Sequence, residues 1–414
     1  MKGLVSVCLV LFFFVFMSQE RKAVTYAAAN NDYPIILVHG VAGWGKEEMK
    51  NFYYWGGIND VEGQLNRNGY ETYVASMGPL SSNRDRAAEL YAFIKGGTVD
   101  YGAAHAAKHN HSRFGDTYPG VEQHAGAGNK VHLVGHSMGG QTARMLVEML
   151  KSGSKEEKDY HANHPSEEPI SPLFEGDQSW VHSVTTIATP HNGSPVSNQS
   201  EDFIPFLKGL VWKYITLAES HTGEQINYDF DLDHWGLKKK TNESAFSYMD
   251  RLFHHPFWET EDTAQYDLSL EGAKELNQQI HTYEDIYYFS YTGDATNPSV
   301  FTEYRLPIVT MNPIFYSTGF YVGRYSNSAF GIDQSWYAND GLVSVPSSQH
   351  PLGHPSTKNI SNQPTKGVWN VNPTQRRWDH LDFVGIDVAD SVGWSDINAY
   401  YREIASKLYN LPAN

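Results

Sequence analysis

The chain has 414 residues, 40% of them hydrophobic and 14% aromatic. That is enough apolar material for a large buried core without disulfide staples. A formal net charge of −16 argues against nucleic acid and anionic membranes as partners.

The chain opens with Lys2, an apolar run from Leu4 to Met17, and small residues at Ala27–Ala29. This is the layout of a secretory signal peptide over residues 1–29, cleaved near Ala27–Ala29. The apolar run falls short of the roughly 20 residues of a comfortable membrane span. An uncleaved N-terminal anchor is the rival reading, and no later stretch could cross a bilayer. The single cysteine, Cys8, lies inside the signal, so the exported chain has no disulfide framework and a metal staple gains appeal.

Tyr33 to His39 is a continuous apolar run closed by Gly40, the pattern of a strand buried on both faces. A helix follows over 61–69, a strand over 71–77 and a helix over 85–95. Residues 96–128 are rich in Gly and His and read as irregular. A second buried strand spans 130–135, a helix 141–151 and a third central strand 182–188. Apolar residues at Phe203, Ile204, Phe206, Leu207, Leu210, Val211, Tyr214 and Leu217 predict an amphipathic helix over 202–220. On periodicity alone it is a core helix. A strand over 286–292 and a helix over 395–409 complete the pattern. Strands alternating with helices imply a mainly parallel sheet flanked by helices. A single catalytic domain over 30–414 with insertions is the simplest organisation.

Gly135-His136-Ser137-Met138-Gly139 is a G-x-S-x-G elbow between an apolar strand and an amphipathic helix, the context in which that motif carries a nucleophile. Side chains at the two glycines would collide with neighbouring backbone. Acyl transfer also needs donors for an oxyanion. The N–H groups of Met138 and, in the loop after the first strand, Val41 are the candidates. In an α/β-hydrolase the acid and then the base follow the serine. His380 lies in a polar loop ahead of the last helix, whereas His350 and His354 sit in a Pro- and Ser-rich stretch. Asp340, in the turn Asn339-Asp340-Gly341, is the candidate acid, with Asp333 and Asp379 as rivals.

The chain resembles the secreted lipases of Bacillus, Geobacillus and Staphylococcus. The likeness rests on Leu37–Gly40 (LVHG), Gly78–Asn83 (GPLSSN) with Asp85 and Arg86, and Gly97–His109 (GTVDYGAAHAAKH). It continues through Gly139–Arg144 (GGQTAR), Thr186–His191 (TIATPH), Leu232–Leu237 (LDHWGL), Asn339–Gly341 (NDG) and Asp379–Leu381 (DHL). Gly135 and Met138 look more like the staphylococcal branch than the thermophilic one. The resemblance implies an α/β-hydrolase fold and Ser137, Asp340 and His380 as the triad.

By spacing alone, His105 and His109 could share a helical face as zinc ligands, or His109 and His111 a strand face. The resemblance implies instead a structural zinc held by Asp85, His105, His111 and Asp233. That ion would tie an insertion at about 81–112 to residues 228–240. The resemblance also implies calcium at Asp382 and Asp387, and it turns the 202–220 helix into a lid within about 195–225. The expected function is a secreted triacylglycerol lipase, extracellular, a monomer or weak oligomer acting on lipid esters at an oil–water interface. A phospholipase or soluble-ester carboxylesterase on the same scaffold is the alternative, and a non-catalytic binding protein the third reading.

Overall fold

The computed structural model describes residues 30–166, 168–226, 228–358, 363–386 and 397–413. Among them, seven strands form the central sheet: β1 (Ile35–Val38), β2 (Thr72–Val74), β3 (Val131–His136), β4 (Val181–Ile187), β5 (Tyr287–Tyr291), β6 (Ser356–Thr357) and β7 (Trp369–Val371). Their order is 6-7-5-4-3-1-2, and every neighbouring pair is parallel. β1, β3 and β4 are buried throughout, as continuous apolar runs require when helices cover both faces. Alternate residues feed two cores. Ile35, Leu37, Val134 and Phe289 pack on one side; Ile36, Val38, Leu133 and Tyr288 pack on the other. This is an α/β-hydrolase-type fold.

Five helices position the site: α1 (Asn83–Lys95), α2 (Ala103–His109), α3 (Met138–Ser152), α4 (Ser200–Thr222) and α5 (Ile397–Tyr409). Ser82 caps α1 by accepting the Asp85 N–H, which starts that helix two residues earlier than its apolar spacing predicts. α3 begins directly after Ser137, three residues ahead of the periodicity, because the glycines of the elbow carry no apolar signal.

Residues 96–128 are more ordered than their composition predicts. Gly97–Asp100 pairs antiparallel with Phe114–Tyr118 around α2. These strands are short and partly exposed, so no apolar alternation betrays them. Side-chain contacts hold them: Arg113 pairs with Asp100 at 2.9 Å, and the Thr98 and Thr117 hydroxyls meet at 2.7 Å.

At the amino edge of the sheet the two ends of the described chain are tied together. Asn30 and Asn31 both donate their backbone N–H to the Tyr409 carbonyl. The Asn31 amide donates to the carbonyls of Leu408 and Leu411, each at 2.9 Å. Its oxygen lies 3.0 Å from His132 Nε2, and His132 Nδ1 lies 2.7 Å from the Ser183 hydroxyl. Among the described residues no helix is long and apolar enough to cross a membrane. The expected signal peptide, residues 1–29, lies outside them.

Candidate active site

β3 ends at His136, and Ser137 turns into α3 with φ 55° and ψ −130°. A left-handed serine is strained and persists only where its surroundings enforce it. Here the enforcement is steric. A Cβ on Gly40 would sit 2.7 Å from that of Ser137, and one on Gly135 would strike the Gly139–Gly140 peptide. The bare glycines let β1, the elbow and α3 approach this closely.

His380 Nε2 lies 2.9 Å from Ser137 Oγ, and His380 Nδ1 lies 2.8 Å from Asp340 Oδ2. An ionised carboxylate only accepts, so Nδ1 carries the proton and Nε2 offers its lone pair to the serine O–H. Asp340 Oδ1 accepts the N–H of Leu342 (3.0 Å) and of Val343 (2.7 Å), which fixes the carboxylate. The His380 N–H also donates to the Asp340 carbonyl. Gly341 is needed in this turn: φ is +102°, and a Cβ would meet that of Phe315 at 2.7 Å.

The rival residues lie elsewhere. Asp333 caps a short exposed turn through the Ser335 N–H. Asp379 accepts the N–H groups of Asn312 and Leu381, and burial raises its pKa to about 6. His354 binds Thr282, and His350 Nδ1 lies beside the Pro351 carbonyl.

Sequence reasoning overlooked a layer behind the triad. His136 Nε2 is 3.0 Å from the His380 carbonyl, so it donates there, and Nδ1 accepts from the Tyr54 hydroxyl at 2.7 Å. Tyr54 in turn accepts the Gly40 N–H at 3.0 Å. Burial, with His380 nearby, lowers the His136 pKa well below its usual value, so it stays neutral. Arg86, buried throughout, donates to the carbonyls of Gly78 (2.8 Å) and His39 and to the Thr142 hydroxyl (3.0 Å). Its target at His39 precedes the loop that carries the Val41 N–H. Among the described residues, neither Val41 N–H nor Met138 N–H meets a hydrogen-bond acceptor. Two such amides beside a strained serine at a helix start are equipped to receive a developing anion.

The metal-ligand expectation needs one correction. Asp85, His105 and His111 come together with Asp262, each offering an atom within 4.8 Å of the others. Asp233 is not among them; its carboxylate pairs with Lys238 on the surface. Its neighbour His234 points inward, with Nε2 3.1 Å from Asp85 Oδ2 and its ring stacked 4.2 Å from that of Tyr101. Asp262 lies in the loop before Thr263, joined to Ser81 by an isolated bridge. No His or periodic pattern flanks it, so only the tertiary pairing could reveal it. His109 lies beside the cluster, with its ring 4.5 Å from that of His105.

The donors suit a cation. His105 Nε2 lies 3.1 Å from Asp85 and 3.2 Å from Asp262. His111 Nε2 and Asp262 Oδ2 are both buried without a well-formed hydrogen bond, although they lie 3.4 Å apart. Burial opposes a charge on His105, but the adjacent Asp262 and Asp85 carboxylates outweigh it and lift its pKa to about 9. Burial likewise opposes ionisation of Asp262, and the two histidines overcome it and hold the pKa below the usual carboxylate range. Two carboxylates buried together need positive charge. Asp382, expected to bind calcium, is buried and accepts the Asp379 N–H at 2.7 Å; Asp387 lies outside the described residues.

α4 covers this region. Its apolar stripe, including Phe203, Leu207, Leu210, Val211 and Tyr214, packs into the same core as Met138 and Trp44. The Tyr214 and Trp44 rings meet edge-on at 5.0 Å. Phe206 faces Phe315 at 6.4 Å, and Phe315 stands 6.2 Å from His380. Ser137 is left 6% exposed, so the site is closed to a bulky substrate in this conformation.

The family described as "Lipase-like, C-terminal domain" matches residues 31–412. Lipase 1 of Staphylococcus aureus (strain MRSA252) is 41% identical over 396 residues, covering 94% of this chain and 56% of that protein. A lipase of Staphylococcus epidermidis is 42% identical over 397 residues, covering 94% and 55%. The chain thus spans about half the length of the curated relatives it matches. Among solved structures, EstA from Clostridium botulinum has a TM-score of 0.85 at 43% identity, covering 94% of this chain and 90% of that one. Staphylococcus hyicus lipase has a TM-score of 0.78 at 39% identity, covering 92% and 96%. On a match that runs through almost all of the described residues, the chain belongs to the lipase-like C-terminal domain family.

Proposed function

We propose that this protein is a secreted triacylglycerol lipase that works through a Ser137–His380–Asp340 acyl-enzyme mechanism. The observation that carries the reading is the hydrogen-bonded line Asp340–His380–Ser137, at 2.8 and 2.9 Å, beside two unpaired amides. Ser137 Oγ attacks the ester carbonyl as His380 Nε2 takes its proton. The carbonyl oxygen, now anionic, lies against the N–H groups of Val41 and Met138. His380 returns the proton to the leaving glycerol oxygen, and the acyl group stays on Ser137. Water, deprotonated by His380, then attacks the acyl carbon; the bond to Ser137 Oγ breaks, His380 returns the proton to Oγ, and the fatty acid leaves. Asp340 holds the imidazole in the required tautomer and stabilises its cation. α4 supports a lipid substrate in particular, since a lid that buries an apolar stripe over the serine can open where a lipid surface receives that stripe.

The metal proposed at Asp85, His105, His111 and Asp262 is zinc, because two imidazoles and two carboxylates make a closed borderline-soft set suited to a structural ion. It supplies no chemistry to the ester; it would bind the insertion to the hydrolase body. Calcium at Asp382 and Asp387 belongs to the proposal on hard-oxygen chemistry.

The test is fatty-acid release from emulsified long-chain triglyceride, measured for the purified protein and its Ser137→Ala variant. Rapid release that the variant loses supports the reading. Cleavage of short soluble esters with no release from the emulsion would make the protein an esterase.

A further inference from the structure

Three large apolar side chains are almost wholly in solvent: Val300 at 91%, Phe301 at 94% and Val309 at 91%. Among the described residues the next large hydrophobic, Phe246, reaches only 62%. Scattered exposed hydrophobics are ordinary, but a Val-Phe pair at a projecting tip with further apolar groups behind it is not. Val300 and Phe301 lie between two short antiparallel strands, Thr296–Pro298 and Arg305–Pro307. Leu306 and Tyr304 add partly exposed surface to the same hairpin.

The turn does not require these residues. Ser299 builds it: its hydroxyl accepts the N–H groups of Phe301 and Thr302, each at 3.2 Å, and its own N–H donates to the Tyr304 carbonyl at 2.9 Å. Thr302 Oγ1 accepts the Tyr304 N–H. Polar residues at 300 and 301 would fit the same backbone. The base of the hairpin, by contrast, is fixed. Asp294, buried, binds Arg305 at 2.8 Å and Arg376 at 2.5 Å, and Arg305 also donates to Thr296.

The mount leads straight to the catalytic rim. The Ala295 N–H donates to the carbonyl of Asn339, the residue before Asp340. Beyond the hairpin the chain reaches Asn312, bonded to Asp379, and Phe315, packed between His380 and Phe206 of α4. The hairpin is thus joined at its base to the segment that carries Asp340, and the chain after it reaches the residues packed against α4. The occupant follows from charge. At −16 the protein gains nothing from an anionic surface, so adsorption must come from apolar insertion into neutral or zwitterionic lipid.

We infer that the 296–307 hairpin, led by Val300 and Phe301, is a fixed anchor that inserts into the lipid surface and sets the triad against it. The inference rests on the lipase reading and adds to it an attachment distinct from the lid.

The test compares the parent with the double variant Val300→Ser/Phe301→Ser. Adsorption is measured in a Ser137→Ala background by flotation with triolein emulsion stabilised by phosphatidylcholine. The double variant should adsorb more weakly by a factor on the order of ten or more, since two large apolar side chains no longer leave water. Parent adsorption should be insensitive to added salt. With Ser137 intact, melting temperature and kcat/KM on a soluble butyrate ester should match the parent, while the rate on emulsion falls. Unchanged adsorption of the double variant would overturn the anchor. So would adsorption that high salt abolishes, or a loss of self-association in sedimentation with adsorption intact. If the parent cleaves no ester at all, the lipase reading fails, and the flotation result still decides the hairpin separately.

Discussion

Arg86 joins three parts of the site with one buried guanidinium: the His39 carbonyl beneath the oxyanion loop, the Gly78 carbonyl, and the Thr142 hydroxyl on α3. Burial lowers its pKa to about 10, which still leaves it protonated at neutral pH. Replacing it strands two buried carbonyl oxygens at about 1–3 kcal/mol each and frees the loop that carries the Val41 N–H. Arg86→Met should therefore lower the melting temperature and cut kcat on a soluble ester by roughly tenfold or more, with KM changing much less. Unchanged kcat in a folded variant would show that the oxyanion loop holds its own shape. Glu89 makes a different case. Burial pushes its carboxyl up to about 7, against the help of His234 nearby and of hydrogen bonds from Gly78 and Tyr101. A raised pKa means that the protonated form is the one the fold favours. Its contribution to stability is full below 4.5 and is lost as pH rises through 7. Glu89→Gln should flatten that loss, so the fall in melting temperature between pH 5 and pH 8 should shrink; an identical pH profile would refute the assignment.

At the scale of elements, α4 and the proposed metal cluster carry the sharpest expectations. Tyr214 packs α4 against Trp44. Tyr214→Ala removes about 3 kcal/mol of buried packing, which favours an open site. The variant should melt earlier yet cleave short soluble esters severalfold faster, narrowing the ratio of emulsion to soluble rates. Slower cleavage of both substrates would mark α4 as core alone. At the proposed metal site, Asp262→Asn should lose bound metal and melt earlier, whereas Asp233→Asn should keep both its metal and its melting temperature; metal content per chain and thermal unfolding check this, and a chelator should reproduce the Asp262 variant. The same pair shows why legibility stops where it does. The elbow was readable because Gly135, Ser137 and Gly139 are dictated locally by one tight turn. Chain order and flanking turn residues pointed to Asp340 and His380 but left Asp333 and Asp379 as rivals for the acid, and the family resemblance singled out Asp340. Asp262 is 177 positions beyond Asp85, enters through a single bridge between Ser81 and Thr263, and leaves no local mark. Asp233 sits in a recognisable motif, but it is the next residue, His234, that faces the cluster. The hairpin and α2 within 96–128 escaped for a related reason, since contacts such as Arg113 with Asp100 replace apolar periodicity.

For the whole molecule, the parallel sheet separates chemistry from attachment. Ser137 follows the carboxyl end of β3, and the Asn31–His132 contact stands at its amino end, about 17 Å away by strand rise. Because Asn30 and Asn31 already bond to the Tyr409 carbonyl, the first and last described segments are neighbours. A circular permutant that links the C-terminal segment to Asn30 and opens at the exposed Gly128 should fold and keep ester hydrolysis. Failure to fold would mean that the order of synthesis, and not only proximity, matters for closing the sheet. The Asn31 clasp also has a topological meaning. It closes the amino end of the sheet, the end away from Ser137, by joining the first described residues to the last.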